Sequence, residues 1–146
     1  MDTRLSAILR EKESKIHTVK PEASVQDAVA LMAREGIGCV LVMDGDRLFG
    51  LFTERDVVNR VLEPGKDPAG TRIMDVATTE IATVSPDLNV GEAMSLCTDR
   101  RVRHLPVYDE GKLVGLVSAG DLTKAAIRDQ QHTIEDLTHY IYGEQA

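Results

Sequence analysis

The sequence predicts an α+β fold made of two copies of one β-α-β-β-α unit, with an additional helix at each end of the chain. Three observations support this fold class: an internal repeat, an aliphatic composition, and the same order of strand-like and helix-like segments in both copies. The 146 residues are 42% hydrophobic but only 3% aromatic, and none is Trp. A core must therefore be assembled mainly from Val, Leu, Ile, Ala and Met.

The repeat becomes visible when the chain is aligned with itself at a displacement of 65 residues. Positions 16–56 then lie on positions 81–121 without an insertion, and 13 of these 41 pairs are identical. Because a single unit of about 60 residues buries little surface, we expect the two copies to pack sheet against sheet around a pseudo-two-fold axis. Such packing would leave two clefts where the copies meet, and clefts of this kind are common ligand sites.

Each copy contains the same elements in the same order. A short β-type segment, 16–19 or 81–84, ends near a proline, which cannot extend a hydrogen-bonded ladder. An amphipathic helix follows a polar capping residue, Ser24 or Asn89. Two strands around a tight turn come next, IGCVLVMD-GD-RLFGLFT and VRHLPVYD-EG-KLVGLVS, and a second helix ends the unit.

The chain divides into five predicted segments. They are an N-terminal helical lead (1–14), a first repeat (15–62), a linker (63–79), a second repeat (80–130) and a C-terminal helix (131–146). The linker begins with the surface-type sequence EPGKDPAG and ends with TRIMDVA, a short helical lead into the second copy. The C-terminal helix carries an apolar stripe of Ile134, Leu137, Tyr140 and Ile141. We expect this stripe to pack onto the module or onto a partner subunit.

Charge and hydropathy exclude several classes of protein. A formal net charge of -7 and a pI of about 5.0 argue against non-specific nucleic-acid binding, because phosphates repel an acidic surface. No uncharged run approaches the roughly 20 residues that cross a bilayer, and no signal-peptide pattern is visible. Cys39 and Cys97 lie in apolar segments without metal spacing, which favours reduced, buried thiols in a cytoplasmic protein.

The sharpest repeated pattern lies where the last strand of each copy meets its second helix. Residues 50–56 and 115–121 share the pattern G-φ-φ-[ST]-x-x-D, where φ is apolar. Amide N–H groups and the positive end of the helix dipole gather at such a junction and favour an anion such as phosphate. The carboxylate can accept both hydroxyls of a ribose. The same residues also form a capping box, which stabilises a helix start by about 1 kcal/mol without any ligand.

Three further features favour an anionic ligand and distinguish the two copies. Arg55 lies inside the first junction, where its guanidinium could hold a phosphate in a bidentate manner. A basic cluster lies just before and within the first strand of the second hairpin; its members are Arg100, Arg101, Arg103 and His104. The alternative interpretation of this cluster is a solvated helix end. Pro106 removes a backbone donor from that strand, whereas the first copy has Leu41 there, so the two sites differ chemically.

On these motifs the chain resembles a tandem cystathionine-β-synthase (CBS) domain pair, also called a Bateman module. The resemblance covers about residues 15–130 and rests on IHTVKPEASVQDAVALMAREGIG with GLFTERDVV, and on IATVSPDLNVGEAMSLCTDRRVRHLPV with GLVSAGDL. It implies the sheet-to-sheet pair described above, and two such pairs commonly form a flat, disc-like dimer. It also implies binding of adenosine-type ligands: AMP, ADP, ATP, S-adenosylmethionine or NAD.

The resemblance carries over to individual positions. Asp56 and Asp121 match ribose-binding aspartates, and Thr53 and Ser118 match hydroxyls near the phosphate or ribose. Positions that match the lining of the base pocket are Thr18, Thr83, the surroundings of Cys39, and the stretch containing His104 and Pro106. Arg55 and Arg103 are the candidates for phosphate. The second copy has Ala119-Gly120 in place of Glu54-Arg55, so there Arg103 or a linker residue would have to supply the charge.

The sequence therefore predicts a regulatory binding protein and no enzyme. Its four histidines lack metal spacing, and no nucleophile–base pair or phosphate-cradling glycine loop is present. We expect a cytoplasmic homodimer that requires no cofactor, binds an adenine nucleotide or related ligand in the clefts, and signals to a regulated enzyme or transporter through a conformational shift. The alternative is a ligand-free dimeric scaffold whose motifs are only helix caps.

Overall fold

The structure is a computed structural model that describes residues 2–12 and 16–142. The remaining residues of the predicted terminal segments, 1, 13–15 and 143–146, lie outside the described residues. The elements in chain order are α1 (Leu5–Lys12), β1 (Thr18–Val19), α2 (Val25–Glu35), β2 (Cys39–Asp44), β3 (Arg47–Thr53), α3 (Glu54–Asp56), α4 (Val90–Arg100), β4 (His104–Asp109), β5 (Lys112–Ser118) and α5 (Ala119–Tyr142). A π-helical stretch, Val57–Leu62, continues α3, and a 3-10 turn spans Ile73–Asp75. The predicted α+β class is confirmed.

The described chain forms two compact units. The first-repeat unit contains residues 16–82, and the second-repeat unit contains residues 2–12 together with 83–142. Each unit therefore has its own core and is described by itself. The predicted sheet-to-sheet packing of the two copies and the clefts between them stay predictions.

The first-repeat unit is organised around a three-stranded sheet with the order β1-β2-β3. β1 is parallel to β2, and β2 is antiparallel to β3. The hydroxyl oxygen of Ser24 accepts the Asp27 amide and begins α2, as its position before the apolar periodicity predicts. The buried face of α2 packs in the same core as the inward side chains of the sheet; this core includes Val25, Ala28, Met32, Val40, Val42 and Phe52.

The second-repeat unit has only two regular strands, β4 and β5, paired antiparallel. The strand predicted over 81–84 is reduced to one parallel bridge between Val84 and Val107. The cause is Pro106. In the first repeat the amide of Leu41 donates to the carbonyl of His17, whereas Pro106 has no N–H to donate at the matching position. The missing donor is evident in the sequence, but its consequence for the strand is not.

Each segment that precedes a repeat in the chain packs in the unit of the other repeat, an arrangement that we call the exchange of leading segments. Residues 71–78 precede the second repeat in the chain but pack in the first-repeat unit, where Ile73, Val76 and Ala77 are buried in the core. α1 precedes the first repeat but packs in the second-repeat unit, where Leu5 and Ile8 are buried. We call residues 71–78 and α1 the leading segments. The structure thus differs from the expectation that TRIMDVA leads into the second copy, because its apolar side chains are needed to complete the core of the first.

The C-terminal helix is continuous with the second helix of the second repeat. The sequence predicts that the second repeat ends at residue 130 and that a separate helix begins at 131. In the structure, residues on both sides of this boundary belong to the single 24-residue helix α5. Its distal half does not pack onto the module, since Ile134 is 62% exposed and Ile141 is 70% exposed. The side chain of Tyr140, also placed on this stripe, lies outside the described side chains.

Candidate functional site

The first strand-to-helix junction forms the capping box that the sequence allows. The Thr53 hydroxyl oxygen accepts the Asp56 amide at 3.3 Å, and Asp56 Oδ2 accepts the Thr53 amide at 3.0 Å. The Thr53 hydroxyl also donates to Asp56 Oδ2 at 3.2 Å. One carboxylate oxygen is thus occupied by the start of the helix itself.

The second oxygen of Asp56 is held by the leading segment 71–78. The Thr78 hydroxyl donates to Oδ1 at 2.9 Å, and Arg60 Nε lies 3.6 Å from the same oxygen. Arg60 also donates to the carbonyl of Ala77 at 3.2 Å and so connects the carboxylate to this segment. Asp56 is only 4% exposed. In this conformation the chain itself satisfies both of its oxygens.

The second junction has the same cap but a more open carboxylate. Asp121 Oδ2 accepts the Ser118 amide at 2.9 Å, and the Ser118 hydroxyl oxygen accepts the Asp121 amide at 3.1 Å. Lys12, at the end of α1, lies with Nζ 2.7 Å from Oδ2 and donates to the Leu116 carbonyl at 2.9 Å. The Asp121 side chain is 22% exposed, against 5% for Asp56. Only the second carboxylate is accessible to a ligand without a rearrangement.

The environment of Asp121 favours its ionised form. Partial burial acts to raise its pKa, but hydrogen bonds from Lys12 and Ser118 and the charge of Lys12 outweigh burial and lower the pKa below its ordinary value. A carboxylate that stays ionised remains an acceptor for sugar hydroxyls. The contact with Lys12 therefore keeps this group an acceptor for hydroxyl donors and also occupies one side of it.

Backbone amides contribute less to either junction than the pattern suggested. The amide of Glu54 donates to the carbonyl of Gly38 at 3.1 Å, and that of Ala119 donates to the carbonyl of Arg103 at 2.7 Å. Asp56 and Asp121, at the third helical positions, bond to their capping hydroxyls. Because two of the first three amides in each helix are already paired, any phosphate bound there would have to be held mainly by side-chain cations.

Such cations surround the start of α5. A depression of about 550 Å³ lies over this helix start and is bordered by the cations Arg103, Lys124 and Arg128. A smaller hollow of about 100 Å³ adjoins Asp121 and is lined by Lys12, Lys124 and Arg128. Arg128 also forms an ion pair with Glu11. Positive charge at the second junction is thus supplied by Arg103, one of the two sources that the sequence allowed, and by one face of α5.

Sequence reasoning missed three of these cations. Lys124 and Arg128 follow Gly120 at successive intervals of four residues, a helical spacing that could have revealed them. Lys12 had no such signal, since it lies 109 positions before Asp121 and is brought there only by the exchange of leading segments.

The other predicted site residues are distributed more widely. Thr18 is exposed in β1 opposite Leu41, and Thr83 is exposed just before the bridge at Val84. His104 is half-buried opposite Ser118, whereas Pro106 is buried in mid-strand opposite Leu116. Arg55 is exposed in the first turn of α3. The structure therefore groups Arg103, His104, Ser118 and Asp121 at one junction, and Thr53, Arg55 and Asp56 at the other. Their roles toward a ligand stay predictions.

The glycine of each motif makes room for a leading segment. A β-carbon added at Gly50 would lie 2.6 Å from the carbonyl oxygen of Thr78, and one added at Gly115 would lie 2.5 Å from a methyl of Leu9. Residues 71–78 and α1 therefore contact both the first and the last residue of the motif in the unit where they pack.

Cys39 lies beside the first junction, opposite Thr53 in the sheet. Burial and, secondarily, the charge of Asp56 raise the pKa of its thiol to about 12. The thiol stays protonated at neutral pH and acts as a small apolar group, as the sequence predicts. Cys97 is also buried and free.

We expect Lys12→Met to weaken the fold at neutral pH by about 1 kcal/mol, with a smaller effect in acid. The pKa of Asp121 is lower in the folded protein than its ordinary value of 3.8. Its ionised form therefore stabilises the fold above that pH, and this stabilisation is lost as the pH falls through the folded pKa. Urea unfolding of both proteins between pH 7 and pH 3 measures the difference.

Arg34→Met is the control for this experiment, because the Arg34–Glu35 pair at 3.5 Å is exposed and belongs to the first-repeat unit, whereas Lys12 and Asp121 belong to the second. It should change stability little at any pH. A Lys12→Met effect that stays constant across the pH range would contradict the assigned contact.

Comparison with known proteins matches both repeats to one family. The CBS domain family profile matches residues 8–63 and 73–128. The chain is similar to the mitochondrial CBS domain-containing protein CBSX3 of Arabidopsis thaliana, at 34% identity over 125 residues, which is 82% of this chain and 61% of that protein. It is similar to YhcV of Bacillus subtilis at 30% identity over 81% of this chain and 84% of that one. A solved CBS-domain structure from Burkholderia ambifaria superposes with a TM-score of 0.84 and 42% identity, covering 88% of this chain and 96% of the other.

Within residues 2–12 and 16–142, no helix combines the length and the apolarity that a membrane span requires.

Proposed function

Since the chain belongs to the CBS-domain family and carries two CBS repeats, we propose that it is a non-catalytic regulatory module that binds an adenosine-type ligand. The candidates are AMP, ADP, ATP, S-adenosylmethionine and NAD, as for the family it belongs to. We place the stronger site at the second repeat, with Asp121 accepting the ribose hydroxyls and Arg103 and Lys124 attracting the phosphate.

The observation that carries this proposal is the difference between the two carboxylates. Asp121 is partly accessible, ionised and close to three cations, whereas Asp56 is buried and has both oxygens occupied by its own chain. A ligand at Asp56 would first have to displace the Thr78 hydroxyl, and that lost hydrogen bond reduces the net affinity. The copy whose motif lacks an internal arginine is therefore the better candidate.

The exchange of leading segments supports a route for signalling. A ligand that binds Lys12, or that displaces Lys12 from Asp121, acts on α1, which precedes the first repeat in the chain. A ligand at Asp56 acts on residues 71–78, which precede the second. Binding at either carboxylate would favour one arrangement of these segments over another, and differential affinity is what allows a ligand to shift a conformational equilibrium.

Isothermal titration calorimetry of the full chain with AMP, ATP and S-adenosylmethionine tests the proposal. We expect binding of at least one of them, and Asp121→Asn should weaken it by about 10-fold to 100-fold, the value of a hydrogen bond to a charged group. Asp136→Asn, which removes the same charge from an exposed position farther along α5, is the matched control and should bind normally.

A second variant identifies the phosphate contact. Arg103→Met should weaken ATP and AMP but leave S-adenosylmethionine unchanged, because only the nucleotides carry a phosphate for the guanidinium to hold. The absence of heat with all three ligands at millimolar concentration would reject the proposal. So would an Asp121→Asn variant that binds as tightly as the unaltered protein.

A ligand-free scaffold is the second candidate, and the double role of the motif favours it. Both aspartates cap their helices, and in the first repeat every oxygen of the carboxylate already has a partner. On this view the motif serves stability alone, and the function lies in the surface of a homodimer.

We propose a cytoplasmic location and a regulated enzyme or transporter as the downstream partner. The buried, unpaired Cys39 and Cys97 support a reducing compartment. No cofactor is required by this proposal, since the nucleotide acts as a regulatory ligand.

A further inference from the structure

From Ile127 onward, α5 presents a regular row of exposed apolar side chains. Ile127, Ile134, Leu137 and Ile141 are 49%, 62%, 55% and 70% exposed. With the exposed Gln130 included, the five positions 127, 130, 134, 137 and 141 are separated by three, four, three and four residues. This spacing is that of the a and d positions of a coiled coil, with Ile127, Ile134 and Ile141 at a and Gln130 and Leu137 at d. We call these five residues the α5 seam.

Charges along this stretch avoid the seam and the positions beside it. Gln131, Thr133 and Thr138 occupy flanking e and g positions and are uncharged. The ionisable side chains lie at the outer b, c and f positions; they are Arg128, Asp129, His132, Glu135, Asp136 and His139. A solvated helix would not need this separation, whereas a helix that pairs along the seam does.

We propose that the α5 seam is the contact surface for the same seam of a second copy of this chain, in a parallel two-stranded coiled coil. The flanks carry no charge that would complement an acidic or basic partner, and none that would repel an identical helix. The outer carboxylates and the net charge of -7 disfavour an anionic membrane surface.

The identity of the seam residues argues for the parallel arrangement. Ile at a with Leu at d favours two parallel strands. Parallel pairing also places Gln130 opposite Gln130 of the second copy, where the two amides can bond to each other. A buried polar pair of this kind fixes the register of a coiled coil.

Two heptads are short for an isolated coiled coil, but α5 is not isolated. Its first turns are held in the second-repeat unit by the buried side chains of Leu122, Ala125 and Ala126. The helix is therefore already formed before it pairs, and the nucleation free energy that prevents short free helices from associating does not apply.

Light scattering coupled to size-exclusion chromatography of the full chain tests the seam. We expect a mass that is a multiple of 16.0 kDa, with two copies as the basic species. Ile134→Asn with Leu137→Asn should halve the mass or raise the dissociation constant at least 100-fold, while circular dichroism and the unfolding midpoint stay close to those of the unaltered protein. Glu135→Asn with Asp136→Asn changes the adjacent outer positions and should leave the mass unchanged.

A measured mass of 16.0 kDa for the unaltered protein at 100 µM would overturn the proposal. So would a seam variant whose measured mass equals that of the unaltered protein. Orientation is tested by Gln130→Cys under mild oxidation. We expect a covalent dimer with Gln130→Cys, none with Glu135→Cys at an outer position, and none with the unaltered protein, whose two cysteines are buried. Failure of Gln130→Cys to cross-link would overturn the parallel arrangement. These measurements need no ligand, so they test the seam separately from the nucleotide proposal, although Ile127 also borders the depression at the start of α5.

Discussion

Replacing Asp56 by Ala is expected to lower the free energy of unfolding by about 2–4 kcal/mol, because it leaves several partly buried donors without partners. The carboxylate accepts bonds from the Thr53 amide, the Thr53 hydroxyl and the Thr78 hydroxyl. It also lies beside Arg60, which bonds to the carbonyl of Ala77. The change therefore removes part of a helix cap and the side-chain hydrogen bond that joins it to residues 71–78 in a single step.

Asp121→Ala is the matched comparison, since it removes the equivalent residue of the other copy. It should lower the unfolding free energy by about 1–2 kcal/mol, because it removes a partly exposed cap contact together with the contact to Lys12. Urea unfolding at pH 7 measures both variants. Equal losses would mean that the two carboxylates play the same structural role, contrary to the difference in their burial.

Replacing Gly50 by Ala is expected to lower the unfolding free energy by about 1–3 kcal/mol, as overpacking of a buried site does. The added methyl would meet the carbonyl oxygen of Thr78, and backbone cannot rotate away as a side chain can. The Leu51–Thr78 pair, which bonds in both directions at 2.9 Å and 2.8 Å, would have to lengthen.

Gly115→Ala offers a sharp control because the clash there is with the end of the Leu9 side chain. A leucine can change rotamer, so the loss should be smaller than for Gly50→Ala. Thermal unfolding of the two variants compares them directly. If Gly50→Ala proved neutral, residues 71–78 would not be held against β3 as closely as the structure indicates.

The two stability predictions and the ligand proposal depend on the same feature, the contact of each motif with a leading segment. Where that contact is a buried hydroxyl, as for Asp56, the motif is primarily structural. Where it is a lysine at the edge of a basic depression, as for Asp121, the carboxylate keeps access to solvent and to a ligand. We therefore expect the asymmetry in ligand binding between the copies to be opposite to the one that Arg55 alone suggests.

Local patterns identified most of the elements and both caps. Ser24 and Asn89 begin α2 and α4 as predicted, because capping depends only on a side chain and the amide three residues later. The sequence predictions failed at two elements. The second copy lacks a regular first strand because Pro106 cannot donate, and α5 is not interrupted near residue 130 because nothing there stops a helix.

The sequence by itself determined the repeat, the α+β class, the caps and the two motif aspartates, since all of these depend on residues close together in the chain. Tertiary structure alone decided which segment covers each motif. Lys12 reaches Asp121 and Thr78 reaches Asp56 only because each leading segment packs on the repeat that it does not precede. No local sequence pattern predicts which repeat each leading segment packs on. That packing depends on the burial of Leu5, Ile8 and Ile73 in cores that form only when the chain has folded.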